Sequence, residues 1–137
     1  MDGIAETKDA AVTIYLDTHV VLWLYEGLLK KLPKAARQSI NESDLLVSPI
    51  VRLELQYLYE IKRSMKPAGT ILADLRAQIG LTVCELPFDQ VVRKASELTW
   101  TRDPFDRLIV AQSLCRNARL LTKDRIIRKH TSLAFWA

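Results

Sequence analysis

The stretch WTRDPFDRLIVAQSLCRNARLLTKD, residues 100–124, combines an apolar helix pattern with a short apolar strand pattern. Pro104 suits the first turn of a helix, where its missing backbone N–H would have no partner in any case. The helix pattern is apolar on most of its sides, which predicts a helix lying deep in the fold. Asp103 and Asp106 stand in front of this helix, and Asp124 follows the strand. These aspartates are either helix caps or parts of a site.

Strand and helix patterns alternate outward from this stretch. Short apolar runs predict strands at 11–17, 44–48, 81–87, 119–124 and 132–136. Longer runs predict helices at 18–27, 33–43, 49–64, 66–80, 89–100, 103–118 and 125–130. Such alternation, without hairpin signals, favours a parallel sheet covered on both faces. We therefore expect an α/β fold, a three-layer α/β/α sandwich with a mainly parallel central sheet.

Length and composition bound the class of protein. The chain has 137 residues, of which 49% are hydrophobic, and this predicts one domain at 12–137 behind a flexible leader at 1–11. The net charge of +4 suits a nucleic-acid partner without deciding the matter. Cys84 and Cys115 lie in apolar surroundings without metal-binding spacing, which favours free thiols in a reducing cytoplasm. No apolar run reaches the length of a membrane span, so we expect no membrane partner.

Each acidic residue has a plain structural explanation when it is taken alone. Asp103 and Asp106 fit the cap and the first turn of a helix, where negative charge is favourable. Asp17 and Asp124 each precede a predicted helix and can cap it. Glu54 borders an apolar stripe, and a solvated side chain is the simplest interpretation for a lone glutamate there. The core stripe predicted for its helix consists of Ile50, Leu53, Tyr57, Leu58 and Ile61.

Taken together, four acids point to one place. Asp17 and Asp124 follow strands at their C-terminal ends, where open parallel sheets bind ligands. Asp106 and Glu54 lie in early helix turns near the same rim. Carboxylates in such a group repel one another and cannot all stay ionised without a partner. A hard divalent cation, Mg²⁺ or Mn²⁺, would resolve this repulsion, and it would activate water and hold phosphate oxygens for in-line displacement.

The sequence resembles the PIN-domain ribonucleases, and among them the VapC-type toxins of type II toxin–antitoxin systems. The matching pieces, in family order, are IYLDTHVVLWL, SPIVRLELQYLYEIK, RDPFDRLIVAQSL, RLLTKDRII and LAFW. The resemblance implies a PIN-like fold and a metal-dependent endoribonuclease that cleaves RNA phosphodiester bonds through a metal-activated water. It also implies a cognate antitoxin protein as partner, and a homodimer. Two departures, Thr101 where a histidine is common and RSMKPAG after the Glu54 helix, concern the substrate groove.

The resemblance also assigns roles to individual residues. The family's metal-binding acids match Asp17, Glu54, Asp106 and Asp124. Asp103 matches a further acid of the subgroup and stays open between ligand and helix cap. Hydroxyl positions beside the acids match Thr18, Ser48 and Thr122. Basic residues within two positions of the acids are candidates for contacts to RNA phosphates, and they are Arg102, Arg107, Lys123 and Arg125.

Two other functions were compatible with an α/β chain that carries acids. A phospho-signalling receiver domain would need an acidic pair around the first strand and a lysine ending the last strand, and neither is in place. A catalytically inactive PIN-fold module that binds RNA or protein remains open, because a sequence cannot show turnover. His19 is expected to be a packed neutral histidine, and the three tryptophans to be core or interface anchors.

A partner surface is expected on the helix THVVLWLYEG, residues 18–27, and on the segment QYLYEIKRS, residues 56–64. They carry more large apolar groups than one core face needs, so some should lie exposed in the isolated chain. These groups are Val21, Leu24, Tyr25, Tyr57 and Leu58.

Overall fold

The computed structural model describes residues 12–137. The strands in this part are β1 (Thr13–Leu16), β2 (Asp44–Val47), β3 (Thr82–Val83), β4 (Arg119–Leu121) and β5 (Ala134–Phe135). The helices are α1 (Thr18–Tyr25), α2 (Lys34–Glu42), α3 (Pro49–Glu60), α4 (Ala68–Ile79), α5 (Phe88–Ser96), α6 (Pro104–Arg116) and α7 (Arg125–His130), with a 3-10 turn at Leu29–Lys31. Each predicted strand and helix is present, in most cases shorter than predicted. The predicted leader, residues 1–11, lies outside the described residues.

The five strands form one parallel sheet in the order β3-β2-β1-β4-β5. The chain adds β2 and β3 on one side of β1, and then returns to add β4 and β5 on the other side. Strand order therefore reverses between β1 and β4, where Ile14 pairs with both Leu45 and Arg119. An open parallel sheet binds ligands outside the carboxyl ends of its strands at such a reversal. The predicted three-layer α/β/α sandwich is confirmed.

The core is centred on the strands on either side of this reversal. Ile14, Tyr15 and Leu16 of β1 and Leu120 and Leu121 of β4 are almost completely buried. Their continuous apolar runs are what a strand covered on both faces requires. Helix α6 buries five consecutive residues, which confirms that it lies deep in the fold, and these are Ile109, Val110, Ala111, Gln112 and Ser113.

The apolar stripe predicted for α3 is wrong for most of its residues, since Leu58 is the one member of the five that is buried. Val51, Leu55 and Leu58 face the core, whereas Leu53 is 56% exposed and Tyr57 is 49% exposed. Ile61 is also exposed, and Ile50 is only partly buried. Both sets of residues have helical spacing, so periodicity alone does not choose between them. In the structure, packing of α3 against α1, α4 and α6 buries Val51, Leu55 and Leu58. The same packing leaves Leu53, Tyr57 and Ile61 exposed.

Among residues 12–137, no helix combines the length and the apolar character needed to cross a bilayer.

Candidate active site

A cavity of about 810 Å³ opens beyond the carboxyl ends of β1 and β4, at the point where strand order reverses. Five acids line it, and they are Asp17, Glu54, Asp103, Asp106 and Asp124. The structure thus brings together all four acids predicted as ligands, together with the acid whose role was left open. They come from four separate parts of the chain, since only Asp103 and Asp106 are close in sequence.

Asp17 caps a helix and faces the cavity at the same time. Its backbone N–H donates to the Leu121 carbonyl (3.0 Å), which ties the end of β1 to β4. Its Oδ1 accepts from the Thr18 N–H (2.8 Å), and its Oδ2 accepts from the Thr122 hydroxyl (2.5 Å). Burial raises the pKa of Asp17, although the hydrogen bonds from Thr122 and Thr18 act in the opposite direction. Asp17 therefore caps α1 and belongs to the acid site, and the two roles do not exclude each other.

Glu54 is tied to the same place through Thr18. The Thr18 hydroxyl, fully buried at the start of α1, donates to Glu54 Oε1 (2.5 Å). Burial raises the pKa of Glu54, and the negative charge of Asp17 raises it further. A solvated glutamate on the flank of α3, the simplest interpretation of the sequence, is not what the structure contains.

Asp103 and Asp106 open α6 as the sequence predicts. Asp103 Oδ1 accepts from the N–H groups of Phe105 (2.8 Å) and Asp106 (3.3 Å), which makes Asp103 the N-cap. Burial, followed by the negative charge of Asp103 and of the other cavity acids, raises the pKa of Asp106 from its ordinary 3.8 to about 7. Asp106 is therefore more easily protonated than an ordinary aspartate, because of its burial and of the negative charge around it.

Thr122 links the two acids that follow strands. Its hydroxyl donates to Asp17 and accepts from the Asp124 N–H (3.0 Å). Asp124 in turn caps α7, because its Oδ1 accepts from the N–H groups of Ile126 (2.9 Å) and Ile127 (3.0 Å). Thr122 is fully buried, so this arrangement is held inside the protein rather than at the surface.

Ser48, the third predicted hydroxyl residue, does not line the cavity. Its Oγ accepts from the Ile50 N–H (3.3 Å) at the start of α3 and donates to Gln112 Oε1 (3.1 Å) on α6. Ser48 therefore acts on the site only indirectly, by joining the helices that carry Glu54 and Asp106. The Nε2 atom of Gln112 is buried without a hydrogen-bond partner in the described part of the chain.

Within the described residues, no ion pair balances the carboxylate charge in the cavity. Within residues 12–137, the salt bridges join Asp89 to Arg93 and Glu97 to Lys94, both on the surface of α5 and its C-terminal end. Oxygen donors with unbalanced negative charge match the preference of Mg²⁺ and Mn²⁺. The acids therefore match a divalent cation in the chemistry of their donor atoms. Their spacing does not form a closed ion site, since in the described residues no three Asp, Glu, His or Cys side chains are grouped closely enough to hold an ion.

The four candidate phosphate-binding residues separate into two pairs. Lys123 and Arg125 line the cavity. Arg107 instead donates from Nε to the Ala95 carbonyl (3.1 Å) and from Nη2 to the Ser96 carbonyl (3.3 Å), at the C-terminal end of α5. A guanidinium is a good partner for the last carbonyls of a helix. Arg107 and Arg102 line a separate depression, so the structure does not bring them to the acids.

Four cavity residues were not predicted from the sequence as parts of the site, and they are His19, Val20, Trp23 and Ile126. His19 is exposed and lines the cavity, so the prediction of a packed histidine is wrong. Trp23 and Ile126 also line the cavity. The available signal was spacing, because His19 and Trp23 are four residues apart on one face of α1 and Ile126 lies two residues after Asp124. Trp23, Trp100 and Trp136 pack against the core, as expected of anchors.

A parallel sheet in this order, with acids gathered where strand order reverses, defines the class of protein. The PIN domain family model matches residues 14–132, and the chain therefore belongs to the PIN-domain family. It is 36% identical over 121 residues to the protein named Ribonuclease VapC22 of Mycobacterium tuberculosis (strain ATCC 25618 / H37Rv). The aligned residues cover 86% of this chain and 92% of that protein. The resemblance to VapC-type PIN proteins is confirmed.

Solved structures share the fold at low sequence identity. The crystal structure of VapBC2 from Rickettsia felis, bound to a DNA fragment from their promoter, contains a chain that matches with a TM-score of 0.66 at 18% identity, covering 92% of this chain and all of that chain. PAE2754 from Pyrobaculum aerophilum matches with a TM-score of 0.52 at 19% identity, covering 91% of this chain and 90% of the other.

Proposed function

We propose that this PIN-domain protein is an endoribonuclease and the toxin of a toxin–antitoxin pair. The observation that carries the proposal is the convergence of Asp17, Glu54, Asp106 and Asp124 on one cavity at the carboxyl edge of the sheet. The relative that is 36% identical is named a ribonuclease of the VapC type, and this supports both the reaction and the toxin role.

We further propose that Mg²⁺ or Mn²⁺ is the cofactor, held by the same four acids. A bound divalent cation would supply positive charge for the phosphate oxygens and would lower the pKa of water at the site. The raised pKa values of Asp17, Glu54 and Asp106 support this, because they are what crowded, partly buried carboxylates have in the absence of a cation. Asp103 caps α6 and also lines the cavity, so its part in holding the cation is decided by the Asp103→Asn variant.

The remaining residues of the site position these groups. Thr18 and Thr122 donate to Glu54 and Asp17 and so hold the two carboxylates in one orientation. Each carboxylate oxygen that accepts one such bond keeps a lone pair for a second partner. Lys123 and Arg125, at the cavity, are placed to draw in RNA phosphates that the acids alone would repel.

Cleavage of RNA by the purified protein tests the proposal. Total RNA is incubated with the protein in Mg²⁺, in Mn²⁺ and in EDTA, and an Asp17→Asn preparation purified in parallel controls for contaminating nuclease. We expect discrete cleavage with a divalent cation and none with EDTA or with the variant. RNA that binds but stays intact under every condition would instead favour an inactive binding module. The observation that supports this second candidate is that residues 12–137 contain no ready-made group of ion-binding side chains.

Asp103→Asn is expected to have a mild effect on both stability and cleavage. Asn caps helices about as well as Asp, so the free energy of unfolding should change by less than about 0.5 kcal/mol. Asp103→Ala removes the acceptor for two N–H groups and should cost about 1 kcal/mol. Urea unfolding and RNA cleavage measure the two effects. A loss of cleavage with Asp103→Asn as severe as that with Asp17→Asn would make Asp103 a ligand.

Replacing Lys123 and Arg125 by Gln is expected to weaken RNA binding about tenfold and to flatten its dependence on salt. Each lost phosphate contact reduces the slope of log K against log [salt] by about 0.7 to 1. The matched control is the double Gln variant of Arg102 and Arg107, which lie away from the cavity and should change the slope much less. Equal effects of the two double variants on the slope would contradict this placement of the RNA.

The proposed antitoxin and the proposed homodimer both need exposed apolar surface. Of the residues predicted for a partner surface, Tyr57 is exposed, Leu24 and Tyr25 are partly buried, and Val21 and Leu58 belong to the core. Expression of this chain alone should arrest growth, and co-expression with the product of the adjacent small reading frame should relieve the arrest. Light scattering of the purified chain reports whether it is a dimer.

A further inference from the structure

Part of the cavity is not acidic and has no role in the proposed metal binding or in the contacts to RNA phosphates. His19, Val20, Trp23 and Ile126 line the cavity together with the acids. Val20 is buried and belongs to the core, but His19 and Ile126 are exposed and Trp23 is only partly buried. The surface formed by His19, Trp23 and Ile126 is called the apolar wall below. Its side chains are available to whatever enters the cavity.

The backbone of Ile126 is hydrogen-bonded to one of the cavity acids. Its N–H donates to Asp124 Oδ1 (2.9 Å), so its backbone is held directly beside an acid of the site. The next residue, Ile127, is buried and anchors α7 in the core, whereas Ile126 is 59% exposed. Core packing therefore does not explain the side chain of Ile126, and the hydrogen bond to Asp124 holds its backbone beside this acid.

Trp23 packs against two other rings, those of Trp136 and His19. Its ring meets Trp136 edge-on, with centroids 6.0 Å apart, and it lies at a tilt to His19, with centroids 6.1 Å apart. The Nζ atom of Lys123 is 5.7 Å from the centre of the Trp23 ring. A cationic group that lines the cavity therefore lies next to the aromatic part of the wall. This places an anion-binding group and an apolar surface side by side.

A nucleotide has the chemistry that matches this arrangement. Its phosphate suits the acids, once they hold a cation, and the basic pair of Lys123 and Arg125, while its base suits aromatic and apolar side chains. The cavity volume of about 810 Å³ lies in the range of sites that enclose a small molecule. A base that is stacked and paired within a helix has both faces covered, so only an unpaired or displaced base can use the wall.

We propose that the apolar wall of His19, Trp23 and Ile126 binds one nucleobase beside the scissile phosphate, and that Ile126 contributes to the choice of base. This inference rests on the proposed ribonuclease function and adds the binding site for the base. Ile126 is its best test, since the side chain is exposed and its replacement leaves the core intact.

Cleavage of RNA with single abasic nucleotides is the first experiment. An unpaired oligoribonucleotide that the enzyme cuts at one bond is made again with the base removed at each position near that bond in turn. We expect the loss of one base to reduce kcat/KM about tenfold or more, at one position only. Ile126→Ser should reduce kcat/KM on the intact RNA about fivefold and have no further effect on the RNA that lacks this base. The matched control is Ile79→Ser, another exposed isoleucine that lies outside the cavity.

Binding of mononucleotides is the second experiment, and it does not depend on turnover. Ribonucleoside 5′-monophosphates should bind the wild-type protein in Mg²⁺ more tightly than ribose 5-phosphate, and Ile126→Ser should reduce this difference. Equal binding of the two kinds of ligand, or equal abasic penalties in the wild type and in Ile126→Ser, would overturn the inference. If Ile126→Ser weakens capture of the antitoxin but leaves both RNA readouts unchanged, the wall binds protein and the inference also fails. A wild type that cuts no RNA with either metal contradicts the proposed function, which is a different outcome.

Discussion

Asp17→Asn is expected to reduce RNA cleavage by at least about 100-fold while the protein remains folded. The substitution keeps the size of the side chain but removes a negative charge from the proposed metal site, and even indirect partners of a metal site are commonly worth 10- to 100-fold. Both carboxylate oxygens of Asp17 accept a hydrogen bond, one from the Thr18 N–H and one from the Thr122 hydroxyl, so the carboxylate is held in one orientation. Removing its charge also relieves repulsion, which offsets the loss of one accepted hydrogen bond.

The measurement is the rate of cleavage at saturating Mg²⁺, with urea unfolding in EDTA as the check on folding. Asp89→Asn is the matched control, because Asp89 is an exposed acid of α5 paired with Arg93 and lies outside the cavity. The control should cut RNA at the wild-type rate. Cleavage by Asp17→Asn within threefold of the wild type would remove Asp17, and with it the proposed metal site, from the mechanism.

The metal-free protein is expected to become less stable by about 2 kcal/mol between pH 5 and pH 8. The pKa of Asp106 is about 7 in the fold against an ordinary 3.8, so between these values the folded protein holds a proton that the unfolded chain has released. Raising the pH through this window therefore favours unfolding. The raised pKa values of Asp17 and Glu54 act in the same direction. The figure is below the full value of the shift, because only the part above pH 5 falls in this window and because Asp106 is partly exposed and screened by solvent.

Urea unfolding in EDTA at several pH values measures this effect. Asp106→Asn should flatten the profile, since an amide does not titrate, and Asp89→Asn should leave it as in the wild type. Mg²⁺ or Mn²⁺ added at pH 8 should restore the stability of the wild type, because a ligand that binds only the folded state stabilises it. A wild-type profile that rises from pH 5 to pH 8, or one that Asp106→Asn leaves unchanged, would contradict the crowding of charge in the cavity.

Local sequence patterns were sufficient for the elements of the fold. The apolar runs around Tyr15 and Leu120 predicted buried parallel strands, because a strand covered on both faces has no polar side. Pro104 and the neighbouring aspartates predicted the start of α6, and the cap at Asp103 is where the pattern places it. The four acids proposed as ligands were also found from the sequence, since three of them stand next to the end of a strand or the start of a helix.

Tertiary structure alone decided which side chains meet. The outward face of α3 could not be read from its spacing, because two sets of apolar residues fit a helix equally well. Arg107 is close to Asp106 in sequence, yet it turns to the end of α5. Thr18 meets Glu54, and Thr122 meets Asp17, because the sheet places β1 between β2 and β4. Periodicity describes only neighbours along the chain, whereas these contacts join residues 36 and 105 positions apart, and strand order sets them.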